Sequence, residues 1–394
     1  MNSDISNKAL LFFEKNKYSN LMKEEWKYTN INKFQSIKYQ QSSPNNNNLK
    51  IIKSKANKIL ITNGEISKVE HSKEISILNL KNAIKNNSNN CKKKFNKIIP
   101  FENNPNVALN TAYFNNGIFI HIQDNTIIKK PIKLSHSLKN ISPDIFLNCR
   151  ILLSIGKNVS AKFINEEIFT AECAINITWE INIDNNSNIE FITLTNKHQT
   201  NQILNFGVSI NKNSIFNYIP IDLSGKLIKN SYYFNLNKEN SQCSINGLNI
   251  LNNNDHIDNF IQINHNHKHT ISNTSFYNLL NNSSTSIFYA KAIINTIANK
   301  AEAYQINKNL LLSEKSNIHS NPQLEIYNND VKCSHASTTG EIDKEALHYL
   351  RTRGISYEES FQLILNGFIN NILEKISIKS VQKSLKDYIA KNVN

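Results

Sequence analysis

The chain has 394 residues, 39% of them hydrophobic, with a formal charge of +14 and a mean hydropathy of −0.44. It is long enough to bury a large core in two or three structural units. No stretch approaches the roughly 20 apolar residues of a membrane-spanning helix, which argues against a membrane protein.

Residues 1–20 are polar and lack the cationic start and apolar middle of a secretory signal, so a cytoplasmic location is expected. Basic charge invites a nucleic-acid reading. The lysines are scattered, however, and no run interleaves Arg with aromatics, so the AT-rich composition (Asn, Lys, Ile) is the better explanation and no nucleic-acid partner is expected. Cys91, Cys149, Cys173, Cys243 and Cys333 are far apart and odd in number. That spacing argues against a disulfide framework and against a ferredoxin-like cluster held by this chain alone.

The first segment, 1–100, reads as a mixed, partly helical region. Ala9, Leu10, Phe13, Tyr18 and Leu21 fall near helical spacing, which predicts an amphipathic helix over 7–26. The Asn-rich stretches at 44–48 and 86–94 have loop composition.

From about residue 101 the pattern changes to period two, as in 117–122, 175–183 and 206–210, with Asn, Ser and Gly at the turns. Asn158, Asn186, Asn213 and Asn240 each open a similar turn, separated by 28, 27 and 27 positions. Asn282 opens a further one 42 positions on, as if across an insertion. Turn–strand units at a fixed period indicate a solenoid. A right-handed parallel β-helix over 101–335 fits this best, with an ordinary β-sandwich as the alternative. Asn, tolerant of positive φ, would sit at each coil corner.

After residue 335 the chain turns helical. Asp343 caps a helix over 344–353 that stops at Gly354, and Ser356 with Glu359 makes a capping box for a second helix. The second carries Phe361, Ile364, Leu365, Phe368 and Ile372 on one face, and a third follows over 377–391. The simplest role for that apolar stripe is to cap the last rung of the β-helix.

Three groups of side chains are candidates for function. Cys333 and His335 form Cys-x-His, and on an extended chain they project to one side; a thiolate and a neutral imidazole both suit iron. In isolation the spacing is weak, because a lone Cys is usually an inert buried residue. His265, His267 and His269 also alternate and would suit zinc or iron if they converged, though a polar corner between coils is the preferred reading. No Gly-x-x-x-x-Gly-Lys-Ser/Thr occurs, so the chain has no phosphate cradle of that type.

The stretch Pro322-Gln-Leu-Glu-Ile-Tyr327, Asn329-Asp-Val-Lys-Cys-Ser-His335 and Glu345-Ala-Leu-His-Tyr-Leu-Arg-Thr-Arg-Gly-Ile355 resembles the hallmark region of the SufB/SufD family. Supporting blocks are Leu109–Ala112, Gly117–Ile120, Pro131–His136, His265–Thr270 and Asn307–Ser313. Glu24-Glu-Trp-Lys-Tyr-Thr29 resembles the opening motif of the SufD branch, not expected in SufB. Ala336, Ser286 and Ala290 stand where the family has glycine.

The resemblance implies a β-helix between helical ends and a non-enzymatic scaffold subunit for iron–sulfur cluster assembly. Its partners would be a SufB-like subunit, paired through the β-helix, and a SufC-like ABC ATPase docked on 336–394. Arg351, Arg353, Gly354, Phe361 and Phe368 would belong to the ATPase-docking region. Cys333 and His335 would face the SufB-like partner, where a transient cluster takes ligands from both chains. No cofactor would be held stably by this chain alone. The alternatives are a SufB-like or self-paired (homodimeric) scaffold, a polysaccharide-active β-helix enzyme, and a basic nucleic-acid binder. The enzyme would want clustered acids for calcium and an export route, neither of which is found.

Overall fold

A computed structural model describes residues 2–17, 25–30, 34, 50–53, 57–86, 89–115, 117–143 and 145–393. The first helix is Asn2–Asn16, earlier and shorter than its periodicity predicts, and it buries Ala9 and Phe13. Tyr18, Leu21 and the Asn run at 44–48 lie outside the described residues. The stretch 86–94 is not simply a loop: Asn89–Lys92 is a short helix that carries Cys91 into an apolar cluster.

The strands in chain order are β1 (Lys50–Lys53), β2 (Asn57–Thr62), β3 (Glu65–His71), β4 (Ile75–Asn79), β5 (Ile118–Ile122) and β6 (Ile132–Ser137). Next come β7 (Phe146–Ile155), β8 (Ser160–Ile168), β9 (Ala174–Ile183), β10 (Asn188–Ile210), β11 (Ile215–Leu236) and β12 (Gln242–Leu251). The last six are β13 (His256–His265), β14 (Ile271–Leu280), β15 (Thr285–Ile294), β16 (Ala301–Leu311), β17 (Asn317–Ile326) and β18 (Val331–Glu341).

They wind a parallel β-solenoid with two faces. One sheet stacks β2, β6, β8, the first halves of β10 and β11, then β12, β14, β16 and β18. The other stacks β5, β7, β9, the second halves of β10 and β11, then β13, β15 and β17. Among the described residues antiparallel pairs, β2 with β3 and β4 with β5, occur only near its N-terminal end. The alternating strands expected at 117–122, 175–183 and 206–210 are β5, β9 and the end of β10. Where both faces of a sheet are covered, alternation gives way to continuous burial, and all ten residues of β7 are buried.

The interior changes along the axis. Early coils are filled by large rings, among them Trp179, Phe191, Phe206 and Tyr218, with Phe206 stacked 4.5 Å from Tyr218. Late coils narrow to Ser286, Ala290, Ala292, Ala301 and Ala303. A file of buried amides runs beside them, Asn249 donating to Asn278 at 2.6 Å and Asn278 to Asn309 at 2.6 Å.

The asparagine repeat is a corner ladder. Asn125, Asn158, Asn186, Asn213 and Asn240 all have φ between 54° and 59°. Each side-chain amide donates to the one before it, at 2.7, 3.1, 3.0 and 3.0 Å. Asn282 does not continue this ladder and no insertion precedes it. The next corners are His269 and Lys300, at φ 57° and 56°. Asn282 pairs instead with Asn253 at the other corner, accepting from the Asn253 amide at 3.2 Å. That corner is unmarked in earlier coils because β10 and β11 run through it without a turn.

The C-terminal helices are Lys344–Thr352, Tyr357–Leu373 and Lys379–Asn392, with the Asp343 cap, the Gly354 stop at φ 87° and the Ser356/Glu359 capping box as expected. They do not cap the solenoid. Leu365, Ile369, Ile372, Val381, Leu385 and Ile389 pack along the flank of the first sheet, on Ile192, Ile219, Ile221, Leu248, Ile250 and Leu279. Among the described residues the last rung is left bare: no residue of β17 or β18 is fully buried. Among the described residues no helix is long and apolar enough to cross a membrane.

Candidate functional site

The bare rung is where the solenoid interior opens. Register sets which side chains point into it: Ala303 and Gln305 of β16, both buried, pair with Cys333 and His335 of β18. Alternation therefore turns both candidate ligands inward. Opposite them, Ser320, Pro322 and Leu324 of β17 stand in register with buried Phe288, Ala290 and Ala292 of β15. Ser320 and Ser337 close one side, their hydroxyl oxygens 2.8 Å apart.

Cys333 is half-buried against Ala292, Ala301, Ala303 and Leu324, whereas His335 is exposed. Partial burial pushes the Cys333 thiol above its usual range, offset in part by the Ala303 amide. It is therefore a protonated thiol at neutral pH, needing a metal or a base to become a ligand or nucleophile. The other cysteines are buried, and desolvation pushes Cys91 up to about 12 and Cys173 to about 11. Cys149 and Cys243 are raised further by the same cause.

His265, His267 and His269 do not converge. His265 points inward and is buried, 2.8 Å from both Thr270 Oγ1 and Ser272 Oγ, and burial lowers it to about 4. His267 accepts from the Lys268 amide, and His269 is a corner residue. These residues form the polar corner preferred from the sequence. Among the described residues no group of three or more His, Cys, Asp or Glu side chains is placed to hold a metal ion.

The expected docking set divides. Phe368 faces the solenoid, its ring 5.2 Å from Tyr277. Arg351, Arg353 and Phe361 surround two tyrosines that the sequence reading missed. The Arg353 guanidinium lies 5.2 Å from the Tyr349 ring and the Arg351 guanidinium 5.9 Å from the Tyr357 ring, which in turn stacks on Phe361. Tyr349 and Tyr357 are 58% and 50% exposed, and the helix Lys344–Thr352 buries no residue. A strongly amphipathic helix whose apolar face is only partly covered was the available signal.

The opening motif docks on the outside of the second sheet. Lys229 and Asp258 form an ion pair at 2.7 Å, almost fully buried, with Lys229 Nζ also donating to the Glu25 carbonyl at 2.7 Å. The Trp26 ring covers Lys229 at 5.6 Å, and Thr29 donates to Asp258. The Tyr28 ring then lies flat on His319 of β17, at 4.2 Å and 11°.

Residues 139–368, more than half of the chain, match the family described as SUF system FeS cluster assembly, SufBD core domain. Residues 1–134 match the SufBD protein N-terminal region. Among curated proteins, a Synechocystis SufBD family protein is 25% identical over 72% of this chain and 65% of its own length. The iron-sulfur cluster assembly protein SufD of Escherichia coli is 30% identical over 41% of this chain and 38% of its own. SufD of Bacillus subtilis is 26% identical over 73% and 66%. The matched stretches thus span less than two thirds of each relative.

Proposed function

The chain belongs to the SufBD family of iron–sulfur cluster assembly proteins, and on that premise we propose that it is a non-catalytic, SufD-like scaffold subunit working in the cytoplasm. In this reading a SufB-like subunit seats on the bare rung and a SufC-like ATPase docks on residues 336–394. A cluster forms transiently at the first of these contacts.

The observation that carries the reading is the uncapped rung with Cys333 and His335 turned into it. An open sheet end with unpaired edges is a liability unless a partner covers it. A thiol and an imidazole are two ligands, and a cluster bound by four protein ligands would take the rest from the partner. Closure by the partner would also remove water from Cys333, so cluster and contact would be coupled. The exposed tyrosine–arginine face of the helix Lys344–Thr352 supports the second contact, because Tyr and Arg anchor interfaces and the described residues leave Tyr349 and Tyr357 half or more exposed.

The test is anaerobic co-expression with the SufB- and SufC-like partners, comparing wild type with Cys333→Ala and His335→Ala. Complex mass and visible cluster absorbance are read together. The expected result is an intact complex in all cases, with cluster lost in the variants. Full cluster in both variants would reduce this subunit to architecture. A wild-type chain that pairs only with its own copies would favour the self-paired reading instead.

A further inference from the structure

We infer that residues 25–30 form a fixed lip on the rim of the bare rung, and that Tyr28, stacked on His319, is one of two tyrosine anchors with which this chain grips a partnering β-solenoid. The inference rests on the proposal that such a partner seats there, and it adds a recognition element from the other end of the chain.

The outer strand of the rung is poorly made for simple strand addition. Asn317 and Tyr327 of the β17 segment donate their amides back toward β15, to Ser284 and Ile294. Amides alternate in direction along a strand, so every even-numbered position faces the open edge. Pro322 is one of these, at the middle of β17. It costs no hydrogen bond within the chain, but it leaves a gap in the donors offered to an incoming strand. Side chains flanking that gap can add what strand pairing lacks on this side.

The two ends of β17 supply them. Tyr28 lies over His319 near the start of the strand, 42% exposed. Ile326 and Tyr327 stand at its end, 45% and 60% exposed. The seven steps from His319 to Ile326 span about 23 Å at the usual strand rise, so the rings bracket the free edge at a separation suited to a standard interface. Tyrosines in such positions are common hot spots, since they bring large contact area with few rotamers to freeze.

Tyr28 is also held in place before any partner arrives. Thr29 is tied to Asp258 and lies 3.1 Å from His256, while the backbone at Glu25 is tied to Lys229. The Tyr28 ring, with Lys27 Nζ 5.2 Å from its centroid and 42% of the residue exposed, is thus presented by a clamped backbone, and little ordering entropy of that backbone remains to be lost on binding.

The experiment uses the full chain and the SufB-like subunit of the same organism, with affinity and dissociation rate measured for Tyr28→Ala, His319→Ala, the double variant and Leu324→Arg. Thermal unfolding and hydrogen exchange of residues 25–30 in the unbound variants report whether the lip stays in place. The expected result is a loss of about tenfold or more for Tyr28→Ala, mainly in dissociation rate, with unfolding and exchange unchanged. The double variant should be no weaker than Tyr28→Ala alone. If Tyr28→Ala stays within about twofold of wild type while Leu324→Arg abolishes binding, the lip is no part of the interface, although the rung reading stands. If Leu324→Arg has no effect either, the rung is not the contact and the inference falls with it.

Discussion

Arg150 and Glu180 form an ion pair of 2.5 Å in which neither side chain has any exposure. Glu180 also accepts the backbone amides of Asn96, Lys97 and Ile98, at 2.8, 2.9 and 3.0 Å. Arg150 donates to Thr111 of the helix Pro105–Tyr113 and lies 5.0 Å from the Phe95 ring. One pair on β7 and β9 therefore ties the N-terminal region to the outside of the solenoid. Glu180→Gln would leave Arg150 buried and uncompensated, at a cost of about 3–5 kcal/mol. Chemical denaturation should show that loss, and amides 96–98 should exchange faster in the native variant. An unchanged midpoint would mean that the contact is not what holds the region down.

The asparagine ladder makes a sharper test of what a corner needs. Asn213 donates to Asn186 and accepts from Asn240, at a φ that a Cβ disfavours. Asn213→Ala should lose both bonds and strain the backbone, costing about 2 kcal/mol. Asn213→Gly loses the same bonds and keeps the φ, so about half that cost is expected. Equal losses in denaturant titrations would show that the ladder, not the backbone conformation, decides.

Burial holds His265 near 4 against its usual 6.5. A base with a depressed pKa in the fold takes up its proton on unfolding. Stability from this group is thus complete above about pH 6.5 and is lost as pH falls toward about 4. The full loss is about 3 kcal/mol at the standard conversion. His265→Gln should flatten the stability profile in that window, read from urea midpoints at several pH values. A variant with the wild-type slope would assign the acid sensitivity elsewhere.

Removing everything after Gly354 would uncover Ile219, Leu248, Ile250 and Leu279 along the flank, so truncation confuses docking with folding. Tyr349→Ala combined with Arg353→Glu touches only exposed side chains. It should leave unfolding unchanged and abolish binding of the SufC-like ATPase in a pull-down. Leu365→Ala should do the converse: about 2–5 kcal/mol of stability lost, with docking retained by the folded fraction. ATPase binding that survives the double substitution would move the docking site off this helix.

Much of this was legible in the sequence, and the exceptions share a cause. Strand alternation, the Asn158-to-Asn240 period and the caps at Asp343 and Ser356 depend on neighbours in the chain, which the sequence displays. The ladder's passage to His269 and Lys300 was hidden because neither residue type advertises positive φ. The helix stripe at Leu365 and Ile372 announced burial, but its reading as a cap on the last rung was wrong, and the flank of the first sheet proved to be the answer. Cys333 and His335 were placed on one side of a strand by spacing alone. That this side is the open mouth of the interior required the register of β16 with β18. The docking of Trp26 and Tyr28 on β11, β13 and β17 joins residues some two to three hundred positions apart, and no local pattern encodes it.

If the SufB-like subunit covers the bare rung, it covers Cys333 with it. Cys333 is the one cysteine not fully buried, so the free native chain should take up a single maleimide label, at Cys333, identified by peptide mass. Labelling should accelerate as pH rises toward the elevated thiol pKa. The decisive measurement is the labelling rate of Cys333 with and without saturating SufB-like partner. Strong protection is expected in the complex, with the free rate restored by Leu324→Arg. A complex that forms at full stoichiometry while Cys333 labels at the free rate would contradict it.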